Sequence, residues 1–83
     1  MKPSRLLPLV VLLLLAGAAQ AKPNTTVNDN LNAADGMFQS GMNGCPSVSM
    51  AILAVNNPGI YGTATAQQRA DVQRYARRCG LRF

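Results

Sequence analysis

Cys45 and Cys79 are the only cysteines in this chain, and they stand at the outer ends of its two clearest helix signals. A pair so placed in a chain this short reads as one disulfide, with a single possible connectivity, because small exported domains need covalent staples. The spacing is not C-x-x-C, which disfavours a redox or catalytic thiol pair. Closing a loop of this length contributes about 3 to 4 kcal/mol in the chain-entropy account, a large share of what so small a domain can hold.

The compartment that would keep such a bond is written at the N-terminus. Lys2 and Arg5 precede an apolar run over 6–16, and Ala18-Ala19-Gln20-Ala21 supplies the small residues of an A-x-A cleavage site. The pattern is that of a secretory signal cut after Ala21. Its apolar run, about 11 residues, falls short of the roughly 20 that cross a bilayer, and no cysteine follows it to carry a lipid. The mature protein is therefore expected to be soluble, without an integral membrane segment. The signal reads as bacterial, so the protein is expected in the periplasm or outside the cell. The expected division is a signal peptide over 1–21, a flexible tail over 22–27 and a small helical domain over 28–83. Asn24-Thr25-Thr26 fits a glycosylation acceptor and is read as a chance match.

Within the domain, Val27, Leu31, Ala34, Phe38 and Met42 recur every three or four residues, the stripe of an amphipathic helix. Its expected span is 28–41, capped by Thr26 or Asn28, with Asp29 in the first turn and a possible break at Gly36. Pro46 suits the first position of a second helix, since proline lacks the N–H that would be unpaired there. The run over 48–55 is apolar apart from Ser49. It fits a buried strand by periodicity alone, but the Pro46 start, the alanines and the Asn-Asn-Pro-Gly stop favour a short buried helix. Pro58-Gly59 fits a type II turn, after which Ile60 and Tyr61 fold back onto the core.

The cleanest element follows. Thr65 with Gln68 forms a capping-box pattern, Val72, Tyr75, Ala76 and Cys79 share a face, and Gly80 supplies a left-handed stop. Two antiparallel helices joined by the 56–65 loop would bring Cys45 and Cys79 side by side at the open end. The fold class expected is all-α: a three-helix domain with an antiparallel pair stapled by the disulfide and the first helix covering the remaining apolar face.

Chemistry is narrowed by what the sequence lacks. There is no histidine, and the only acids are Asp29, Asp35 and Asp71, each read as solvated. A Ser-His or Cys-His nucleophile cannot be assembled, the aspartates do not converge, and both cysteines are committed. No catalytic residue, metal ligand or cofactor site is assigned, and an enzyme is not expected. Met37, Met42 and Met50 lack copper-site spacing and read as core filler.

The positive signal is the charge at the C-terminus. Residues 66–83 carry five arginines against one aspartate, while 22–65 carry one lysine against two aspartates. Arg69, Arg74, Arg77, Arg78 and Arg82 complement the helix dipole and solvate an outer face, with Arg74 pairing to Asp71. The same residues are the candidate surface for an anion or partner. An exported protein meets little nucleic acid, so an anionic envelope component or an acidic protein is the expected class. The sequence thus reads as a small exported non-enzymatic interaction or structural protein. The alternative is a secreted cationic effector, bacteriocin-like or host-directed, using the arginine helix on an anionic membrane or acidic target. A subunit accessory to an enzyme or redox partner is a third option.

Overall fold

The computed structural model describes residues 22–83, so the signal-peptide reading over 1–21 lies outside the described residues. The architecture is all-α. Four helices are present among the described residues: α1 (Thr25–Gln39), α2 (Cys45–Asn56), the single-turn α3 (Pro58–Tyr61) and α4 (Ala66–Cys79).

The helices form where the sequence supplies a packing face and a cap. The apolar stripe of α1 buries Val27, Leu31 and Ala34, and the helix runs unbroken through Gly36 because that packing outweighs the propensity of one exposed glycine. It ends at Gln39, where the Met42 N–H reaches back to the Met37 carbonyl at 2.8 Å. α2 begins at Cys45, with Pro46 in the first turn, and buries Val48, Ala51, Ala54 and Val55. Helix is thereby the state of 48–55. α4 carries the capping box in full: the Gln68 N–H donates to Thr65 Oγ1 at 3.0 Å, and the Thr65 N–H donates to Gln68 Oε1 at 2.8 Å. Gly80, at φ 64°, closes it as expected.

α2 is the central element, packed against both α1 and α4. Its partners meet it through small side chains, for the core is alanine and valine with Leu31, and Val72 and Ala76 of α4 complete it. Small residues let helices approach closely but bury little apolar area each, which makes the covalent tie important. The Cα atoms of the Cys45–Cys79 disulfide are 5.6 Å apart, joining the start of α2 to the end of α4. The antiparallel pair tied at its open end is therefore present.

Several expectations fail locally. The 22–27 segment, expected as a flexible tail, is tied down. Asn24 is buried and caps α1 by accepting from the Val27 N–H at 3.2 Å, so neither Thr26 nor Asn28 is the cap and Asp29 falls beyond the first turn. The Asn24 amide donates to the carbonyls of Ala54 at 2.9 Å and Gly62 at 3.0 Å, and Gln68 donates to the Asn24 carbonyl at 2.8 Å. Thr63 donates its N–H to the Lys22 carbonyl at 2.9 Å. An amide so engaged has no side-chain nitrogen free to carry a glycan.

Pro58-Gly59 is not a type II turn. Pro58 opens α3, whose Ile60 and Tyr61 N–H groups donate to the Asn57 carbonyl, because the fixed proline φ serves a helix start as well as a turn. The positive φ falls instead at Gly62, where φ is 102° and a Cβ would lie 2.5 Å from the Lys22 carbonyl oxygen. Tyr61 packs on the core as expected, whereas Ile60 points outward, 67% exposed. The methionines are not core filler either: Met42 and Met50 are exposed, and Met37 is half-buried beside Ser47. Close helix packing through alanine and valine leaves no gap for a long flexible side chain to fill.

Candidate anion-binding face on α4

Placing five arginines on one helix and its exit does not make one patch. At 100° per residue, Arg78 lies about 40° around α4 from Arg74, Arg77 about 60° to the other side, and Arg69 about 140° away. Arg69 sits near the start of the helix and Arg82 beyond its end, both exposed. The structure therefore singles out Arg74 and Arg78, with Arg77 adjacent in the last turn.

α1 supplies what holds that pair. The rings of Phe38 on α1 and Tyr75 on α4 lie 6.5 Å apart and nearly parallel, at 16°. The Arg78 guanidinium rests over Phe38, 3.8 Å from the ring centroid, and that of Arg74 lies over Tyr75 at 5.6 Å. Cations are attracted to the negative face of an aromatic ring, so each guanidinium has a fixed platform rather than a free arc. Between them is an open groove of about 180 Å³ lined by Arg74, Tyr75 and Arg78.

The nearby acids are already engaged. Asp71 pairs with Arg74 at 3.2 Å, as expected, and accepts from Gln67 at 3.0 Å. Asp35, expected to be merely solvated, accepts from the Tyr75 hydroxyl at 3.3 Å and from Gln39 at 2.8 Å. Burial raises the Tyr75 pKa, and the Asp35 charge with its hydrogen bond raises it further, against a smaller opposing pull from Arg74 and Arg78. The phenol therefore stays a neutral donor aimed at Asp35. Arg78 has an aromatic partner and no ion pair within 4.0 Å among the described residues.

This arrangement can bind negative charge. Among the described residues no group of three acidic or cysteine side chains converges to hold a metal, and both cysteines are in the disulfide. A second recess, about 360 Å³, opens between the starts of α1 and α4 and is lined by Asn28, Thr63, Thr65, Gln67 and Asp71 among others. Its buried amides are both engaged, Asn24 with the Val27 N–H and the carbonyls of Ala54 and Gly62, and Gln68 with the Thr65 N–H, the Asn24 carbonyl and Asn28 Oδ1.

The roles of Phe38, Asp35 and Gln39 were hidden in the sequence. Phe38 belonged to the apolar stripe of its own helix, and only the crossing of α1 over α4 sets it beneath Arg78. No protein family, no curated protein and no solved structure matches this chain.

Proposed function

We propose that this chain is a small exported, non-enzymatic interaction module that presents Arg74 and Arg78 to an acidic partner in the periplasm or outside the cell. One observation carries the reading: the two guanidinium groups are held on stacked aromatic rings, with Arg78 left without an acidic partner within 4.0 Å among the described residues. A merely solubilising arginine has no need of such a platform, since a mobile cation solvates a surface equally well.

Export rests on the pattern over 1–21. The Cys45–Cys79 bond fits an oxidising compartment, and no helix among the described residues is long and apolar enough to cross a membrane. The effector reading is less well supported, because the apolar face of α4, Val72 and Ala76, is packed into the core and is not free to enter a bilayer.

Affinity capture from the envelope fraction of the encoding organism tests the proposal, using the oxidised chain over 22–83 and its R74Q/R78Q variant. A partner retained by the first and lost by the second is expected. Equal capture by both would overturn the assignment of this face.

A further inference from the structure

We infer that the groove between Arg74 and Arg78 is a site for one phosphate monoester group, lipid-borne or free. The inference rests on the reading of this face as the working surface and goes further by naming the ligand chemistry. Arg74 and Arg78 stand four residues apart on α4, where Cβ atoms are about 6 Å apart and like charges repel. Both line the same groove with Tyr75 as its third wall, so the repulsion is concentrated there instead of being spread over the helix.

A bound anion relieves that repulsion, and the shape of the groove selects which anion. Each guanidinium presents a planar fork of donors that matches two oxygens of a phosphate or carboxylate. The two forks rest on different rings, Arg78 on Phe38 and Arg74 on Tyr75, so they are two separate sets of donors. A carboxylate offers two oxygens in one plane and serves one fork. A phosphate monoester offers three terminal oxygens in different planes and up to two charges, enough for both. At about 180 Å³ the groove suits a headgroup rather than a whole nucleotide.

Three features oppose binding and are outweighed. The Asp71 carboxylate already pairs with Arg74, but the Arg74 side chain is 69% exposed, and surface pairs of that kind are weak enough for a dianion to compete. Asp35 lies beyond the Tyr75 hydroxyl, which together with Gln39 occupies it. The C-terminal end of α4 carries partial negative charge, which Arg77 and Arg78 in its last turn offset.

The test is a titration of the oxidised 22–83 chain with inorganic phosphate, against chloride at constant ionic strength, followed by NMR of backbone and arginine side-chain N–H groups. Saturable shifts confined to Arg74, Tyr75, Arg78 and their neighbours are expected. R74Q and R78Q should each weaken binding about tenfold, the loss of one charge-assisted contact, while R69Q and R82Q change it less than about twofold. R78K keeps the charge but not the fork, and should lose about as much as R78Q. All four arginines are exposed, so the variants should retain the helical circular dichroism of the parent. Shifts spread evenly over all five arginines, or an R78K chain that binds as tightly as the parent, would overturn the site.

Vesicles separate the sources. Retention on phosphatidic acid above phosphatidylglycerol at matched surface charge identifies a lipid-borne monoester, and phosphate binding without retention identifies a free one. Retention that follows surface charge alone overturns the site. If R74Q/R78Q loses a captured envelope partner while the parent binds no phosphate, this inference fails and the interaction-module reading stands.

Discussion

The side chain of Gln68 donates to the backbone carbonyl of Asn24 at 2.8 Å, joining the residue that caps α1 to the capping box of α4 across 44 positions. Asn24 in turn donates to the carbonyl of Ala54 near the end of α2 and to that of Gly62. One buried amide thus holds the far end of the helix pair, opposite the disulfide. The domain is tied at both ends, covalently at one and by hydrogen bonds at the other.

Asn24→Ala should destabilise the domain by about 3 kcal/mol, combining a lost helix cap with buried carbonyls left unpaired. Asn24→Asp is the sharper variant. It keeps the capping acceptor but sets a carboxylate against the carbonyls of Ala54 and Gly62, so it should cost at least as much as alanine. Urea unfolding monitored by circular dichroism gives both values. If the aspartate variant were as stable as the parent, Asn24 would be a simple cap and the tie would not exist.

Gly62→Ala should cost about 2 to 4 kcal/mol, since a side chain at φ 102° is strained and its Cβ would lie 2.5 Å from the Lys22 oxygen and 2.7 Å from that of Pro23. Deleting Lys22 and Pro23 removes the collision but not the backbone strain. The alanine substitution should therefore cost less in the shortened chain than in the full one, by at least about 1 kcal/mol. Equal penalties in the two chains would show that the N-terminal segment does not rest on Gly62.

The difference between what could and could not be read from the sequence follows the range of each interaction. α4 was legible because its determinants are local: Thr65 and Gln68 lie three residues apart, Gly80 follows directly, and the core stripe repeats within the helix. The disulfide followed from the placing of each cysteine at the outer end of its helix in an antiparallel pair. Asn24 was illegible as an anchor because its partners at Ala54, Gly62 and Gln68 lie 30 to 44 positions away, and the mostly polar stretch over 22–27 looks like a tail until they are brought to it. Pro58 misled because its fixed φ fits two structures equally. Of the candidate site, the arginines were visible and the platform was not: which ring meets Arg78 depends on a helix crossing that no spacing within α1 encodes.

Replacing both cysteines by serine should lower stability by about 3 to 4 kcal/mol, and full reduction of the parent should do the same. With a core of valines and alanines and one leucine, little stability remains to absorb that loss. Thermal melts of the oxidised, reduced and serine forms check the prediction. A serine variant melting within a few degrees of the oxidised parent would mean that the hydrogen-bonded end alone suffices.

Alkaline pH should weaken the contact between α1 and α4. The folded-state pKa of Tyr75 lies above its unfolded value near 10, because burial and the facing Asp35 carboxylate on α1 disfavour the phenolate more than Arg74 and Arg78 on α4 favour it. The neutral phenol is thus the form that the fold prefers. Its contribution is fully present below pH 10 and is lost as pH rises through the folded-state value. Tyr75→Phe removes this titration, so the loss of stability between pH 9 and 11 should be smaller in the variant than in the parent. An identical pH dependence would show that the hydroxyl is not coupled to folding.

Arg78 and Phe38 should be energetically coupled in a way that Arg74 and Asp71 are not. An exposed ion pair is screened by salt, and the Arg74–Asp71 pair lies open to solvent. The Arg78 guanidinium lies close enough to Phe38, at 3.8 Å from the centroid, for dispersion to add to the electrostatic attraction, and added salt reaches that contribution poorly. A double-mutant cycle with Phe38→Leu and Arg78→Gln should give about 0.5 to 1 kcal/mol, little changed between low and high salt. The matching cycle with Asp71→Asn and Arg74→Gln should give no more than that at low salt and fall towards zero as salt is added. Leucine keeps the apolar contact of Phe38 with the domain, so the first cycle isolates the cation on the ring. Zero coupling there would mean that Arg78 is a free surface cation and that the groove holds no fixed geometry for an anion.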